Sequence, residues 1–234
     1  MLGETLHTLA VDIGGTGIKV IVLDEQGTAI SDRIRLETPR PATPSAVLDV
    51  IKQLAEKAGS FDRVSVGFPG VVRDGITETA ANLDKSWVGH NLAQAVEMEL
   101  GRPVRVANDA DVQGFGVIRG HGVELVLTLG TGLGSALFVT GNLVPNLEVA
   151  HHRFRAKRTY EEHLGNAALE FEGKKKWNKR LFKAIDELEK MFNFDHLYLG
   201  GGNAKKVTDE LPKNVEKVSN IAGLLGGIAL WRDL

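Results

Sequence analysis

Residues 124–140, ELVLTLGTGLGSALFVT, decide the fold of this 234-residue chain. The stretch consists of an apolar run, a turn that carries Gly130, Gly132 and Gly134, and a second apolar run. Val, Leu, Thr and Phe dominate both runs, which predicts two strands. Glycine lets a ligand approach the backbone closely, and such a turn can hold phosphate oxygens on its amide groups. The stretch therefore predicts a hairpin that binds phosphate.

The hairpin has a twin at residues 6–24, LHTLAVDIGGTGIKVIVLD. Gly15-Thr16-Gly17 in this first hairpin corresponds to Gly130-Thr131-Gly132 in the second. Short glycine motifs are weak signals on their own and recur by chance in hairpins. Here, however, apolar runs flank both turns in the same way. We therefore predict two similar halves, each of which contributes one hairpin to the binding of phosphate.

The turns do not match the common nucleotide-binding motifs. Rossmann and P-loop turns lead from a strand into a helix. Residues 19–23 and 135–139, which follow the two turns, instead predict strands, and the pattern G-x-x-x-x-G-K-[ST] does not occur in the sequence. A phosphate site would therefore be built on hairpins.

The composition narrows the class of protein. The chain has 28 basic and 30 acidic residues and a net charge of −2, which argues against nucleic acid as a partner. The absence of cysteine excludes disulfides and thiolate metal sites. The first residues lack the basic segment of a signal peptide, and no run of about 20 apolar residues is present to span a membrane. We therefore expect a cytoplasmic protein without membrane contact.

The remaining pattern predicts alternating strands and helices, with a long loop in the first half. Thr43 is expected to cap a helix that ends at Gly59, and Thr159 with Glu162 forms the pattern of a capping box. A last helix is expected to start at Ser219 or Asn220. The predicted strands are 28–36, 63–67, 103–106 and 196–199, the loop is 71–90, and the helices are 44–58, 91–100, 110–119, 160–169, 174–192 and 220–231.

Asp109 is the first candidate for chemistry. It follows a predicted strand, where α/β folds carry their ligand chemistry. A kinase that phosphorylates a hydroxyl needs a carboxylate to accept the hydroxyl proton, and Asn108 beside it can orient a sugar hydroxyl. The same Asn-Asp pair is also typical of a helix cap. Both interpretations stay open at this point.

Three further motifs also leave alternatives. Glu148 and His151 suit a metal site, a sugar site or a plain surface pair, but a zinc site needs a third ligand. The lysines at 174–176 fit either a solvated helix face or a surface that attracts a polyanion. Glycines at 200–202 bring the backbone close to a nucleotide or to the next helix.

Taken in chain order, these motifs resemble the ROK family of sugar kinases, and TLGTGLGSA followed by VPN-x-E is similar to polyphosphate glucokinases within it. The resemblance implies an α/β, actin-like ATPase (ribonuclease H-like) fold with two similar domains and a cleft between them. Residues 1–107, joined by a C-terminal helix at about 220–234, would form the first domain, and residues 108–219 the second. The matching segments are DIGGT at 12–16, GFPG at 67–70, ANL at 81–83 with Trp87, NDAD at 108–111, TLGTGLGSA at 128–136, VPN at 144–146 with Glu148 and His151, and GGG at 200–202.

The resemblance also implies a role for each matching residue. Asp109 would be the general base, and Asp12 would hold Mg²⁺ through water. Glu161 and Glu162 are difficult to tell apart at the sugar. The expected sugar-binding residues are Asn82, Asn108, Glu148, His151 and Glu161, and the expected phosphate-binding residues are Asp12, Gly14, Gly15, Thr16, Gly17, Lys19, Gly130, Thr131, Gly132, Gly201 and Gly202.

The implied activity is transfer of a terminal phosphoryl group from polyphosphate or ATP to the 6-hydroxyl of glucose, with Mg²⁺, by a homodimer. Two alternatives remain: a strictly ATP-dependent kinase of another hexose, such as mannose or fructose, and a non-catalytic sugar or nucleotide sensor. This sequence departs from the family in having no cysteines after His151, so no zinc is expected, and Ala150 stands where the family usually has glycine. It also has no helix-turn-helix extension, which removes the repressor branch of the family.

Overall fold

The computed structural model describes residues 5–80, 83–219 and 222–232, with only the backbone described at 222 and 223. The chain divides into two compact units, which are residues 1–116 with 221–234, and residues 117–220. The sequence prediction had put the boundary after residue 107. Residues 109–115 instead belong to the first unit, because this helix directly follows a strand of that unit and packs on its C-terminal segment.

The first unit consists of a five-stranded sheet, a small second sheet and the helices that cover them. Its elements are, in chain order, β1 (Thr8–Ile13), β2 (Ile18–Leu23), β3 (Ile34–Leu36), α1 (Pro44–Ala58), β4 (Arg63–Phe68), β5 (Val72–Arg73), β6 (Ile76–Thr77), β7 (His90–Asn91), α2 (Leu92–Leu100), β8 (Val104–Asn108) and α3 (Asp109–Phe115).

The second unit repeats this plan. Its elements are, in chain order, β9 (Val123–Leu129), β10 (Leu133–Val139), β11 (Asn142–Val144), β12 (Arg153–Arg155), β13 (Arg158–Thr159), α4 (Tyr160–Leu164), α5 (Asn166–Glu172), α6 (Lys174–Phe192), β14 (His196–Gly200) and β15 (Val215–Lys217).

The two large sheets share one topology. The strand order is β3-β2-β1-β4-β8 in the first unit and β11-β10-β9-β14-β15 in the second. In each sheet the first two strands of the unit form an antiparallel hairpin, and the strands that continue from that hairpin run parallel to its first strand. The prediction of two similar halves, each opening with a glycine hairpin, is confirmed.

Apolar side chains at helical or strand spacing explain why these elements form. Along α1, Val47, Ile51 and Leu54 are buried and share one face, as the helical period requires. The predicted ends of α1 are confirmed, since the Thr43 hydroxyl accepts a hydrogen bond from the Ala46 amide and Gly59 follows the last turn. Trp177 is likewise fully buried on α6, in the core of the second unit.

Several predicted elements differ from the structure. The strand expected at 28–36 is reduced to β3, and the expected loop at 71–90 contains the small sheet β5-β6-β7. The helix expected through Leu169 stops at Leu164, because Gly165 leaves the helical conformation before α5 begins. Of the two caps proposed for the last helix, Asn220 lies outside the described residues. Within the described ranges, no helix is both long enough and apolar enough to cross a bilayer.

The C-terminal segment begins with α7 (Ala222–Leu225), continues as a 3₁₀ helix through Trp231, and packs on the first unit. The Ser65 hydroxyl donates a hydrogen bond to the Gly227 carbonyl oxygen over 2.6 Å, and the Trp231 indole donates one to Ser65 over 2.9 Å. Gly226 lies against the backbone of α3. A β-carbon added there would come within 1.8 Å of the Val112 carbonyl oxygen.

We expect Gly226→Ala to destabilise the protein, because the methyl group would displace either α3 or the C-terminal segment. Overpacking of this kind costs about 2–3 kcal/mol, which corresponds to a loss of roughly 5 °C or more in Tm for a chain of this length. Thermal unfolding followed by circular dichroism measures the change.

Gly202→Ala is the matched control for stability, since a methyl group there would meet no atom within 4 Å. Equal Tm values for the two variants would show that the close packing at Gly226 is not needed.

Candidate functional site

The first glycine turn joins β1 to β2. It is held by a hydrogen bond within the turn and by hydrogen bonds from two side chains outside it. The Gly14 amide donates to the Gly17 carbonyl oxygen over 3.1 Å, and the Thr38 hydroxyl donates to the Gly14 carbonyl oxygen. Arg35 donates from Nη2 to the Thr16 carbonyl oxygen over 2.7 Å. The Thr16 side chain remains exposed. The turn is therefore rigid, with a hydroxyl at its surface.

Arg35 was not identified from the sequence. It lies directly opposite Lys19 in the pairing of β2 with β3, so the two cationic side chains share one face of the sheet. Its guanidinium also packs on Gly17, where a β-carbon would lie 2.4 Å from Nε. Directly opposed like charges destabilise a sheet, and an anion bound at the turn would relieve that repulsion. This contact depends on the register of β2 with β3, which the sequence pattern does not give.

Asp12 is the carboxylate nearest to this turn. Its Oδ2 accepts a hydrogen bond from Lys19 Nζ over 2.7 Å, and the side chain is 23% exposed. Asp12, Gly67 and Asp109 line one small cavity of the first unit. Mg²⁺ is usually held by one or two carboxylates together with water and substrate phosphates. The residues present fit an Mg²⁺ ion held through water.

Asp109 begins α3 directly after β8, as predicted. Its backbone is adjacent to Gly67, because a β-carbon on Gly67 would lie 3.4 Å from the Asp109 Cα. Asp109 is partly exposed, and its Oδ1 accepts a hydrogen bond from the Ala110 amide. A carboxylate thus lies at the carboxyl end of a parallel strand, where α/β sheets carry their ligand sites.

Asn108 forms the helix cap that the sequence left open. Its Oδ1 accepts hydrogen bonds from the amides of Ala110 and Asp111, and its Nδ2 donates to the Gly70 carbonyl oxygen over 3.1 Å. The side chain is only 7% exposed. Asn108 therefore connects the GFPG segment at 67–70 to the start of α3.

The second glycine turn, between β9 and β10, is also closed by a backbone hydrogen bond. The Gly130 amide donates to the Gly132 carbonyl oxygen over 3.0 Å. The Asn166 amide donates to the carbonyl oxygens of both Gly130 and Thr131, and Asn203 Nδ2 also donates to Gly130. Asn166 and Asn203 were not identified from the sequence, because both lie far along the chain from the turn. The Thr131 side chain is exposed, as at Thr16.

The glycines at 200–202 have separate roles. Gly201 has φ +83°, and a β-carbon there would lie 2.3 Å from the Leu129 carbonyl oxygen, so the backbone itself packs at the end of β9. Gly202 is exposed and meets no atom within 4 Å of an added β-carbon. The close approach predicted for this segment is therefore to the second glycine turn, and Gly202 remains open to solvent.

Glu148, His151 and Glu161 come together in the second unit. His151 Nε2 lies 3.4 Å from Glu148 Oε2, and Glu161 Oε2 accepts a hydrogen bond from the Leu133 amide just after the glycine turn. Burial raises the pKa of Glu148, the nearby His151 opposes that rise, and the negative charge of Glu161 adds to it. This cluster of acceptors and an imidazole suits the vicinal hydroxyls of a sugar.

Glu162 does not share this position. Its carboxylate accepts a hydrogen bond from the Thr159 amide over 2.7 Å, while the Thr159 hydroxyl accepts one from the Glu162 amide. The predicted capping box is thus present, and its hydrogen bond from the Thr159 amide lowers the pKa of Glu162. Of the two neighbouring glutamates, Glu161 is the one in the cluster. Asn82, the remaining predicted sugar ligand, lies outside the described residues.

A closed metal site is not evident in the described ranges, since no group of three or more His, Cys, Asp and Glu side chains there is arranged to hold an ion. Two units of one topology, each opening with a glycine hairpin, form the actin-like fold that sugar kinases of known structure share. The ROK family profile matches residues 8–171, and the chain belongs to the ROK family.

Similar proteins are known by sequence and by structure. A polyphosphate glucokinase from Mycobacterium tuberculosis is 35% identical over 237 aligned residues, which cover 94% of this chain and 89% of that protein. A glucokinase from Streptomyces coelicolor is 36% identical over 146 residues, 58% of this chain and 44% of that protein. An inorganic polyphosphate/ATP-glucomannokinase from Arthrobacter sp. strain KM superposes with a TM-score of 0.88 at 33% identity, covering 98% of this chain and 100% of that one.

We expect Glu148→Gln and Glu162→Gln to change stability at neutral pH in opposite directions. The pKa of Glu148 in the folded protein lies above its ordinary 4.5. The protein therefore loses stability as pH rises from 4.5 through this raised pKa, and glutamine, which does not ionise, removes that loss. The folded pKa of Glu162 lies below 4.5, so its contribution is present at neutral pH and is lost as pH falls.

Thermal unfolding from neutral pH into the acid range measures both effects. The Glu148 effect should shrink as pH falls toward 4.5, and the Glu162 effect only as pH falls below 4.5. A Glu148→Gln variant less stable than the parent at pH 7 would contradict the assignment of Glu148 to a strained, ligand-binding position.

Proposed function

We propose that this chain is a glucokinase that transfers the terminal phosphoryl group of polyphosphate or ATP to the 6-hydroxyl of glucose. The choice of substrates is supported by the polyphosphate glucokinase that is 35% identical over 94% of this chain. The polyphosphate/ATP-glucomannokinase, with a TM-score of 0.88, supports the same pair of phosphate donors.

The observation that carries the proposal is the position of Asp109. This carboxylate lies at the carboxyl end of β8, beside Gly67, and lines the same cavity as Asp12. Phosphoryl transfer to a hydroxyl needs a base within hydrogen-bond reach of the hydroxyl proton. We assign that role to Asp109, with Asn108 fixing the start of its helix.

Cationic and backbone groups are assigned to the phosphates. In the first unit these are Lys19, Arg35 and the turn at 14–17, and in the second unit the turn at 130–132. Positive charge and fixed N–H groups stabilise the charge that develops on a transferring phosphoryl group. Mg²⁺, when bound through water at Asp12, would neutralise further phosphate charge.

The sugar is assigned to Glu148, His151 and Glu161. Carboxylate oxygens accept hydrogen bonds from sugar hydroxyls, and an imidazole either donates or accepts according to its tautomer. The raised pKa of Glu148 follows mainly from burial, and hydrogen bonds from sugar hydroxyls would compensate the buried charge. Asn82 belongs to the same proposal on the basis of its sequence motif alone.

Two alternative functions differ from the proposed activity in the phosphate donor that they use or in the absence of turnover. A strictly ATP-dependent kinase of mannose or fructose would use the same groups but would show no activity with polyphosphate. A sugar or nucleotide sensor would bind without turnover, and the carboxylate at residue 109 favours an enzyme, because binding alone needs no base.

The proposal also includes a homodimer in the cytoplasm. The homodimer is carried over from the resemblance to the family. Sedimentation velocity measures the oligomeric state, and a monomer at micromolar concentration would remove this part of the proposal. A cytoplasmic location follows from the use of ATP, which is a cytoplasmic metabolite.

We expect Asp109→Asn to lower kcat by about 10²–10⁴ while glucose affinity is retained, because the isosteric amide keeps the shape but cannot accept the proton as a base. Steady-state kinetics give kcat, and calorimetric titration gives the glucose Kd. Asp49→Asn, on the exposed face of α1, is the matched control and should behave as the parent.

Retention of more than roughly a tenth of the parent kcat by Asp109→Asn would remove Asp109 from the chemistry. Loss of glucose binding together with activity would instead identify it as a sugar ligand.

A further inference from the structure

A group of exposed lysines on the second unit is not used by the proposed chemistry. Lys174, Lys175 and Lys179 lie on the first turns of α6, and Lys205 and Lys206 lie on the 3₁₀ turn Ala204–Lys206. We call these five residues the basic track. Among the described residues, none of the five has an acidic partner within 4.0 Å.

The two parts of the basic track are fixed to one another by a buried amide. Asn178, which is 1% exposed, donates from Nδ2 to the Lys174 carbonyl oxygen over 2.9 Å and to the Lys206 carbonyl oxygen over 3.1 Å. Its Oδ1 accepts a hydrogen bond from the Thr208 amide over 3.1 Å. The first turn of α6 and the 3₁₀ turn are therefore adjacent.

The basic track is connected to the second glycine turn through Asn203. Asn203 donates from its amide to the Leu129 carbonyl oxygen over 2.8 Å and from Nδ2 to the Gly130 carbonyl oxygen over 3.2 Å. The Lys206 amide in turn donates to the Asn203 carbonyl oxygen over 2.8 Å. A continuous set of hydrogen bonds thus connects the phosphate-binding turn to the lysines.

Neighbouring basic residues on α6 differ in their pairing. Lys176 lies 3.3 Å and Arg180 lies 2.8 Å from the single Glu172 carboxylate, which offsets one of their two positive charges. Lys175 and Lys179 are four residues apart on the helix, where like charges repel. Lys175 and Lys179, which have no acidic partner, therefore lie on one side of the helix. A bound polyanion would relieve their repulsion.

We propose that the basic track binds the chain of a long inorganic polyphosphate beyond the phosphates held at the glycine turns. This inference rests on the proposed function and names long-chain polyphosphate as the preferred donor. The net charge of −2 cannot attract a polyanion to the whole molecule, so the attraction must be local. On the proposed assignment the three phosphates of ATP are held at the turns, which leaves the basic track for a longer chain.

The test compares two double variants that remove the same charge. Lys175→Gln with Lys205→Gln removes one lysine from each part of the basic track. Lys57→Gln with Lys213→Gln is the matched control: both are exposed, and among the described residues neither has an acidic partner within 4.0 Å.

For the basic-track variant we expect KM for long-chain polyphosphate to rise about tenfold at low ionic strength, because local attraction is lost. KM for ATP and for tripolyphosphate should stay within about twofold, and the difference should shrink near ~0.5 M salt, where the Debye length is a few Å. The control variant should match the parent with every donor. Equal changes for tripolyphosphate and long-chain polyphosphate, the same change in the control, or no change would overturn the inference.

Binding of fluorescently labelled long-chain polyphosphate separates this inference from the proposed function. A protein that forms no glucose 6-phosphate with any donor but still loses polyphosphate affinity in the basic-track variant would refute the function and support the basic track. A protein that phosphorylates glucose with unaltered polyphosphate affinity in that variant would do the reverse.

Discussion

Both large sheets depend on a glycine turn that is closed by one backbone hydrogen bond. In the first unit the Gly14 amide donates to Gly17, and in the second the Gly130 amide donates to Gly132. Each turn fixes the register of an antiparallel hairpin, and in the first hairpin that register sets Asp12 opposite Lys19. Distant side chains then hold the turn carbonyl oxygens, as Arg35 and Asn203 do. The groups proposed to bind phosphate are positioned by these turns.

The groups proposed for function differ from those that maintain the fold in how well their charge is stabilised. Glu162 is stabilised as an anion by its capping box, whereas burial raises the pKa of Glu148 and makes its charge unfavourable. The opposed cations Lys19 and Arg35 are unfavourable in the same sense, although Asp12 neutralises part of their charge. Such local costs are expected where a ligand completes the interactions.

Local patterns predicted much of this structure. The hairpins, the ends of α1, the Thr159 capping box and the position of Asp109 all follow from residues within a few positions of each other. Features that depend on distant pairing were not predictable in this way. Arg35 at the first turn, the tie from Asn108 to Gly70 and the membership of α3 in the first unit all depend on which strands meet. Sequence spacing carries no direct signal for these contacts.

The groups around Asp109 are proposed to transfer a phosphoryl group to glucose. Formation of glucose 6-phosphate by the purified protein tests this, followed in a coupled assay with ATP and, in parallel, with polyphosphate freed of nucleotide. We expect product with polyphosphate in the absence of any nucleotide. Glucose binding without product from either donor would contradict it and would leave a sugar-binding protein of the same fold.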